Sequence, residues 1–317
     1  MIKKPSGYIL TVTLNPAIDK NIFVQDLRVG CDHKVLGTQL SAGGKGLNVS
    51  RSLKTMGLPT LATGIVGGAA GDFILGELKR EGIDADFLVI GPETRTNITI
   101  IDRSKKSVTR TIEPGPVLPA TLLNSFKNKL KKLLRGASFA IFSGSNANGF
   151  PDSSYAEMIG IARRAGVDSA LDTRSRPLSL GIKAGPSIVK PNIEEAEFVA
   201  GKILDSLTKI RRAAAAIQGM GAGAAIITMG SKGALFFDGV ETIQALPSRV
   251  KVLNDVGCGD TFLGAYVASI MRGADGGDAM RSASAIAAAS SLTAEPGKFR
   301  RKDAIAAGRK VLIKRFI

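Results

Sequence analysis

A short glycine-rich turn that ends in a carboxylate is the feature of this sequence best suited to chemistry. Residues 255–260 read Asp-Val-Gly-Cys-Gly-Asp, and a mostly apolar run follows from Thr261 to Met271. Glycines let the backbone turn N–H groups toward one point, and the first turn of a helix adds positive potential there, so the segment could cradle an anion. Asp260 would then lie beside bound phosphates, where a carboxylate can accept a proton or help to hold a metal. A plain helix cap after a glycine turn is the alternative interpretation of Asp260.

A second glycine-rich segment, Ser41-Ala-Gly-Gly-Lys-Gly-Leu-Asn48, leads into a predicted helix. Gly43 and Gly44 would let the backbone approach a ligand closely, and Lys45 and Asn48 would point into the same space. The segment lacks the Ser or Thr of a P-loop and the third glycine of a dinucleotide fingerprint. It is therefore either a glycine-rich turn or a ligand loop of another kind.

Arg95 and Arg110 are candidate anion-binding residues in a segment that ends at Glu113-Pro-Gly-Pro116. A hairpin between them could bring both guanidinium groups to one face, where their donors would match the oxygens of a phosphate. Two solvated strand arginines are the alternative. Asp19, just after Asn15-Pro16, is either a turn residue or an acceptor for substrate hydroxyls.

Two predicted strand ends carry residues that suit a nucleotide and its metal. In Lys190-Pro-Asn-Ile-Glu-Glu195, Asn192 and Glu195 would share one side of a helix that begins there. Glu195 could hold water on Mg²⁺, and the pair could also form a capping box, since the two roles are compatible. Thr228-Met-Gly-Ser-Lys-Gly233 offers small residues and a lysine for phosphates or sugar, although a strand-to-hairpin turn has the same composition.

Alternating helix and strand signals predict the elements that position these residues. Strands are predicted at 8–14, 61–66, 139–143, 169–172, 187–190, 224–229 and 234–237, and helices at 47–56, 72–81, 122–134, 155–165, 211–218, 261–272 and 278–291. Such alternation is typical of an α/β fold with a mostly parallel central sheet, helices on both faces and sites at the carboxyl ends of the strands.

Residues 20–40 and 93–112 break this rhythm. They alternate polar and apolar residues with Thr, Ile and Val prominent, which predicts exposed antiparallel strands in a small second sheet. Strands inserted beside the carboxyl edge can serve as a lid over a ligand, and exposed lid edges invite a second subunit. Since no linker marks a second domain, we expect a single domain over residues 1–317 that forms a homodimer through the lid.

Composition limits the classes of protein. With 317 residues, 44% of them hydrophobic, the chain can bury a large core. The net charge of +16 suggests nucleic acid, but the basic residues lie in short clusters such as 127–135 and 298–302, and the three tyrosines without any tryptophan offer little base stacking. We therefore expect an anionic small molecule, and no nucleic acid, as partner. A single histidine, His33, and two distant cysteines, Cys31 and Cys258, argue against zinc and disulfide frameworks.

No run of about 18 uncharged apolar residues is present that could span a bilayer. The apolar stretch within residues 1–23 follows Lys3 and Lys4 but is interrupted by Asn15, Pro16 and Asp19. We therefore expect no signal peptide, no membrane partner and a cytoplasmic location.

Seven segments, taken in order, carry a family resemblance. They are TLNPAID (13–19), GGKGLNVSR (43–51), TRTNITI (94–100), FSGS (142–145), KPNIEEAE (190–197), TMGSKGAL (228–235) and VGCGDTFLGA (256–265). Over nearly the whole chain they resemble the ribokinase-like sugar kinases of the phosphofructokinase B (PfkB) branch. The early Asn-Pro-Ala-x-Asp, the Gly-Gly-Lys-Gly loop and the Glu-Pro-Gly-Pro segment are most similar to 1-phosphofructokinases and tagatose-6-phosphate kinases.

The resemblance implies a ribokinase-like fold and an ATP- and Mg²⁺-dependent kinase for a ketohexose phosphate. Fructose 1-phosphate is the favoured acceptor, and tagatose 6-phosphate and fructose 6-phosphate are the alternatives. A sugar-phosphate-binding regulator without turnover is an alternative of a different class, although the presence of Asp260 argues against it.

The resemblance also implies roles for individual residues. Asp260 would be the catalytic base, and Gly257, Cys258 and Gly259 would supply the anion hole. Substrate-binding positions fall on Asp19, Gly43, Gly44, Lys45, Asn48, Arg95, Arg110 and Ser145. Nucleotide positions fall on Lys190, Asn192, Thr228, Gly230 and Gly233, and the magnesium-associated position falls on Glu195.

The chain departs from the family pattern at two places. Cys258 replaces the usual alanine, and Asn146-Ala147 replaces the usual Leu-Pro, which bears on the identity of the acceptor. Because a helix N-terminus lowers the pKa of a thiol, we expect thiol reagents to inhibit at Cys258 and ATP to protect. A cysteine nucleophile is the rival mechanism, but its only histidine base would be His33.

Overall fold

The computed structural model describes residues 7–316, so Lys3 and Lys4 of the predicted non-signal segment lie outside the described residues. The strands are β1 (Tyr8–Thr13), β2 (Ala17–Val24), β3 (Gly37–Gly43), β4 (Thr60–Gly67), β5 (Asp84–Ala85), β6 (Leu88–Ile90), β7 (Thr96–Asp102), β8 (Ser107–Thr111), β9 (Ala137–Ser143), β10 (Ser169–Asp172), β11 (Ile188–Val189), β12 (Ala224–Thr228), β13 (Ala234–Phe237), β14 (Thr242–Leu246) and β15 (Leu312–Phe316). The helices are α1 (Lys45–Thr55), α2 (Gly68–Arg80), α3 (Ala120–Leu133), α4 (Ser154–Arg164), α5 (Ser175–Lys183), α6 (Ile193–Ala200), α7 (Leu207–Gly219), α8 (Cys258–Met271), α9 (Gly276–Ser290) and α10 (Arg301–Gly308).

The central sheet is mostly parallel, as the alternation of elements predicts. Its strand order is β15-β14-β13-β12-β11-β10-β9-β1-β4-β5, and β6 also pairs with β4. Across this sheet, the neighbouring strands β12, β11, β10, β9, β1, β4 and β5 pair in parallel, and so do β4 and β6. The strands β13, β14 and β15 add antiparallel pairings at one end. The carboxyl ends of the parallel strands therefore meet along one edge, where such folds place their sites.

Helices cover both faces of this sheet because successive strand residues point to opposite sides. In β9, Ala140 and Phe142 enter one buried cluster, which contains side chains of α3, α4 and α7. Phe139 and Ile141 enter another, which contains side chains of α1, α8 and α9. Strands that are apolar on both faces read as continuous hydrophobic runs, which is why the sequence predicts them well. None of the helices within residues 7–316 has both the length and the apolar character needed to traverse a lipid bilayer.

A separate four-stranded sheet, hereafter the lid, has the order β3-β2-β7-β8. The pairs β2–β3 and β7–β8 are antiparallel, as predicted, but β2–β7 is parallel. The prediction of antiparallel strands is wrong for this pair because β2 and β7 both leave the carboxyl edge of the central sheet and so run in the same direction. The lid thus rises from the edge at which the candidate residues gather.

Candidate functional site

The helix α8 begins at the glycine-rich turn that precedes Asp260. Gly257, its N-cap, has a φ of 79°, in the left-handed region, and a Cβ there would lie 3.0 Å from Cβ of Pro296. Only glycine tolerates both conditions. The N–H groups that follow in the first helical turn have no partner within the helix, so their positive potential faces outward. This start of α8 can accept an anion.

Asp260 lies in that first turn and is only 6% exposed. Its Oδ2 accepts a hydrogen bond of 2.8 Å from Nδ2 of Asn48, on α1. Burial raises the pKa of Asp260, Lys45 opposes the shift and the nearby carboxylate of Asp172 adds to it, and the net result is a pKa of about 6. A carboxylate with a pKa near neutrality and a defined orientation has the properties of a general base.

The carboxylate of Asp172, which is not among the predicted site residues, holds two lysines together. It ends β10 and is fully buried. Nζ of Lys45 lies 2.8 Å from its Oδ1, and Nζ of Lys190 lies 3.1 Å from its Oδ2. Burial alone would raise the pKa of Asp172, but the two lysines lower it below its usual value. The signal that could have found it is its position at the end of the predicted strand 169–172, on the carboxyl edge.

Lys45 remains a cation in this setting. Burial would lower its pKa, but the carboxylates of Asp172, Glu195 and Asp260 together raise it above the usual value. A fixed ammonium group beside the start of α8 can neutralise a phosphate.

Asn192 and Glu195 form the capping box that their spacing predicts. Oδ1 of Asn192 accepts from the Glu195 N–H at 2.8 Å, and Oε2 of Glu195 accepts from the Asn192 N–H at 2.8 Å. The second oxygen of Glu195, Oε1, lies 3.6 Å from Nζ of Lys45 and so faces the charged cluster. The capping role therefore leaves one carboxylate oxygen available.

This donor set suits a magnesium ion that is bound mainly through phosphates. Within residues 7–316, no group of three or more His, Cys, Asp or Glu side chains is arranged as a metal cage. Mg²⁺ commonly uses one or two carboxylates, substrate phosphates and several waters. Oε1 of Glu195 meets that requirement.

On the lid side of the cleft, Asp19 and Gly43 lie in direct contact. A Cβ at Gly43 would come 2.1 Å from Oδ2 of Asp19, so this close approach requires glycine. Asn97, on β7, donates from Nδ2 to Oδ1 of Asp19 at 2.9 Å. Burial raises the pKa of Asp19. Asn97 was not among the predicted site residues, although it lies within the TRTNITI segment.

The two predicted arginines differ in their contacts. Arg95 donates to the main-chain carbonyl groups of Asn15 at 2.9 Å, Pro16 at 3.4 Å and Glu113 at 2.7 Å. Arg110 is half exposed, with its nearest carboxylate contact at 4.0 Å to Asp255. Arg95 thus holds the polypeptide at the base of the lid, whereas Arg110 has the freer guanidinium.

One cleft between the lid and the carboxyl edge, about 1910 Å³ in volume, brings most of the predicted residues together. The predicted residues that line it are Asp19, Gly44, Lys45, Asn48, Arg95, Arg110, Lys190, Asn192, Glu195, Thr228, Gly230, Gly233, Gly257, Cys258, Gly259 and Asp260. Gly43 and Ser145 are not part of this lining. Gly43 lies behind Asp19, and Ser145 has its carbonyl bonded to the Tyr155 hydroxyl at 3.3 Å.

The end of the cleft beyond Lys190 is suited to a nucleotide. Asn192 forms an isolated bridge with Thr228, so the two predicted nucleotide segments are adjacent. Apolar side chains, among them Val250, Val252 and Ala288, also line the cleft. An apolar wall beside polar strand ends is typical of a site for a flat ring with an anionic tail.

The expected low pKa of Cys258 is wrong. Burial, together with the charges of Asp255 and Asp260, raises its pKa to about 11. The physical reason is that desolvation and two carboxylates outweigh the potential of the helix N-terminus. His33 lies elsewhere, in the loop between β2 and β3, where its Nε2 is hydrogen-bonded to the main chain of Arg28. These contacts give no support to a cysteine nucleophile.

We accordingly expect alkylation of Cys258 to be slow. At pH 7.5 iodoacetamide should label it about 100-fold more slowly than a thiol with an ordinary pKa of about 8.5, because the thiolate is the reactive form. Cys258→Ala should retain activity within about threefold, because Ala leaves the backbone amide in place. A time course by peptide mass spectrometry, with the exposed Cys31 as internal control, measures the rate at which Cys258 is labelled. Rapid, ATP-protected labelling of Cys258 would contradict it.

Comparisons with known proteins agree with this geometry. The sequence matches the pfkB family carbohydrate kinases over residues 12–298. It is 31% identical over 278 residues to a 1-phosphofructokinase of Rhodobacter capsulatus, covering 87% of this chain and 88% of that protein.

Solved structures show the same fold. The phosphofructokinase-2 of Escherichia coli superposes with a TM-score of 0.90 at 24% identity, over 96% of this chain and 98% of that chain. The same protein has also been described in a tetrameric inhibited form. A possible 1-phosphofructokinase of Thermotoga maritima gives a TM-score of 0.86 at 28% identity, over 98% of this chain and 100% of that one.

These matches show the predicted family, and the superpositions show the predicted α/β fold. Kinases of this fold use ATP, normally with a metal ion. The chain therefore belongs to the pfkB family of carbohydrate kinases and is a sugar-phosphate kinase with the ribokinase-like fold.

Proposed function

We propose that this kinase converts D-fructose 1-phosphate and ATP to D-fructose 1,6-bisphosphate and ADP. The observation that carries the proposal is the buried Asp260 at the start of α8, in one cleft with Lys45 and Lys190. The choice of acceptor is supported by the 1-phosphofructokinase of Rhodobacter capsulatus, at 31% identity.

In the proposed reaction, Asp260 accepts the proton of the acceptor hydroxyl as its oxygen attacks the γ-phosphorus of ATP. The bond from that phosphorus to the bridging oxygen breaks, and ADP leaves with the electron pair. The turn formed by Gly257, Cys258 and Gly259 presents backbone N–H groups to the transferred phosphoryl group. Such transfer depends on positioning and charge neutralisation more than on covalent chemistry.

On the nucleotide side, we assign ATP to the end of the cleft that contains the β11 and β12 strand ends. The assigned residues are Lys190, Asn192, Thr228, Gly230 and Gly233. Lys190 and Lys45, both held by Asp172, would neutralise phosphate charge. Glu195 would hold Mg²⁺ through Oε1, and the bound ion would supply further neutralisation of the phosphates.

On the acceptor side, we assign the sugar to the floor of the lid. Asp19, held by Asn97, would accept hydrogen bonds from sugar hydroxyls. Arg110 would pair with the phosphate of the acceptor, because its guanidinium is half exposed and borders the cleft. Gly44, Lys45, Asn48 and Arg95, which line the cleft, are also assigned to this side. Gly43 and Ser145, which do not line it, complete the assigned positions.

A coupled ADP-release assay tests the proposal. Fructose 1-phosphate, tagatose 6-phosphate and fructose 6-phosphate are compared at equal concentrations. We expect kcat/KM for fructose 1-phosphate to exceed the other two by at least about tenfold. A preference for another ketohexose phosphate would overturn the acceptor, and no ADP release with any of them would favour the sugar-phosphate-binding regulator.

We also propose that the enzyme is a cytoplasmic homodimer that associates through the lid. Val108 on β8 is 53% exposed, and the strand register places it on the same face of the lid as Phe23 and Ile101. An exposed apolar strand surface favours a partner. ATP and sugar phosphates are cytoplasmic metabolites, which supports the location.

Val108→Asp is accordingly expected to shift the protein to monomer. A buried charge in the proposed interface would cost several kcal/mol, on the order of a 100-fold or greater rise in the dimer dissociation constant. Light scattering after gel filtration measures the mass. Val240→Asp is the matched control, since Val240 is 90% exposed outside the lid. A monomeric wild-type protein would refute the homodimer.

A further inference from the structure

Arg51 is a buried cation close to the proposed base but is not one of its direct contacts. It lies on α1 and is 5% exposed. Its Nε donates to both oxygens of Glu81, at 3.1 and 2.9 Å. Its Nη1 donates to Oδ1 of Asn48 at 2.9 Å, and its Nη2 donates to the Ala42 carbonyl at 2.7 Å. A guanidinium group held at three points has a fixed orientation.

The contact with Asn48 determines which way the Asn48 amide faces. A guanidinium group has only donors, so it bonds the amide through the oxygen. The amide nitrogen of Asn48 then necessarily faces Asp260, and it donates to Oδ2 at 2.8 Å. A flipped amide would place its oxygen against the carboxylate and its NH₂ group against the guanidinium, which is unfavourable on both sides.

The spacing of the two residues makes this arrangement possible. Asn48 and Arg51 are three apart on α1, so they lie on the same side of the helix. Glu81 follows the last residue of α2 and balances the charge of Arg51. A loop glycine, Gly297, packs so closely that a Cβ there would lie 2.6 Å from the Asn48 carbonyl oxygen. Helix α1 is thus held from several directions.

We propose that Arg51 is a positioning residue, which fixes the amide of Asn48 so that Asp260 is oriented and kept as a proton acceptor. This inference rests on the proposed role of Asp260. Arg51 acts only through Asn48, and Glu81 holds Arg51 in place.

Other charged groups also face Asp260 and stay unchanged when Arg51 is substituted. They are Lys45 on α1, Asp172 at the end of β10 and Lys190 after β11. Within α8 and the preceding turn, Cys258 and Asp255 are nearby. A shift of the pH profile that Arg51→Met no longer adds once Asn48 is substituted therefore reports on the Asn48 amide, and not on the lost charge of Arg51.

Kinetics of Arg51→Met, Asn48→Ala and the double variant test the inference. Arg51→Met should lower kcat by about 10- to 100-fold while the KM values stay within about threefold. The acid limb of its kcat profile should move to higher pH by at least about half a unit. The double variant should be no more than about threefold slower than Asn48→Ala, because residues that act in series are non-additive.

Three further variants keep the test informative. Arg51→Lys should restore at least about a third of the wild-type kcat, since one ammonium donor can still reach Asn48. If Arg51→Met does not fold, Glu81→Gln should give a smaller shift of the acid limb in the same direction. Arg281→Met removes a guanidinium group bonded to the Val311 carbonyl, outside the cleft, and should behave as wild type.

The outcomes separate this inference from the proposed function. An active Asp260→Asn variant would overturn the role of the base. An inactive Asp260→Asn beside an Arg51→Met enzyme with wild-type kcat and acid limb would overturn only the positioning role. A double variant whose loss equals the product of the single losses would also overturn it.

Discussion

Asp260→Asn is expected to lower kcat by about 10²- to 10⁴-fold and to leave the KM values within about threefold. The amide is nearly isosteric and its oxygen can still accept from Asn48, so the geometry persists while proton acceptance is lost. Steady-state kinetics measures the effect. Asp278→Asn is a matched control, because Asp278 occupies the same third position of its helix, α9, but is exposed outside the cleft. Equal activity of Asp260→Asn and Asp278→Asn would show that Asp260 is not the base.

The pKa of Asp260 also sets a pH dependence. A base with a pKa of about 6 is protonated below that pH, so kcat/KM of the wild-type enzyme should fall about tenfold per unit below pH 6.

The raised pKa of Asp260 also affects the stability of the fold. Because the folded-state pKa is above the unfolded value of about 3.9, ionisation of Asp260 costs stability above pH 6, and this cost disappears below about pH 4.

Asp260→Asn should consequently be more stable than wild type at pH 7.5, by about 1–3 kcal/mol, and the gain should vanish near pH 4. Urea denaturation at the two pH values measures the difference. A gain that is independent of pH would show that packing, and not ionisation, is responsible.

Asp172→Ala is expected to lower the free energy of unfolding by about 3–5 kcal/mol and to reduce kcat/KM by at least about 100-fold. Lys190 is only 3% exposed, so removal of the carboxylate leaves a buried cation without its partner. Lys45 loses its 2.8 Å contact at the same time. Two lysines that repel each other can no longer hold the positions proposed for phosphate binding.

Urea denaturation and steady-state kinetics together check the prediction for Asp172→Ala. Asp152→Ala is the matched control, since it removes an exposed ion pair with Arg176 that should contribute no more than about 1 kcal/mol. Asp172→Asn should have a stability and a kcat/KM between those of the wild type and Asp172→Ala, because it keeps a hydrogen-bond acceptor but loses the charge. Equal stability of Asp172→Ala and Asp152→Ala would mean that Asp172 is not the anchor of the lysines.

The elements that the sequence predicts well are those with strong local patterns. The strands at 169–172 and 234–237 coincide with β10 and β13, and the predicted helices agree with the observed ones to within a few residues at each end. The helix α5 was missed because Pro177 and Gly181 oppose helix formation, and burial of Leu178 and Ile182 overrides that preference. The edge strand β15 was missed because Lys314 and Arg315 interrupt its apolar residues.

Among the candidate residues, those defined by neighbours along the chain were predictable. The capping box of Asn192 and Glu195 and the left-handed turn at Gly257 depend on backbone within a few residues, and both occur where the sequence places them. Local conformation follows from local composition. The ordered set of seven segments likewise identified the family, because each segment retains its own residues.

Only the tertiary structure decided the electrostatics of the site. Asn48 and Asp260 are 212 residues apart, so no local pattern could show that one donates to the other. The fold buries Asp172 between Lys45 and Lys190, which places its carboxylate at the centre of the charged cluster. It also directs the Arg95 guanidinium to main-chain carbonyl groups. The predicted lowering of the Cys258 pKa is wrong for the same reason, since folding raises that pKa. A pKa depends on burial and on charges brought near by folding, whereas the sequence by itself determined the local turns, the caps and the family.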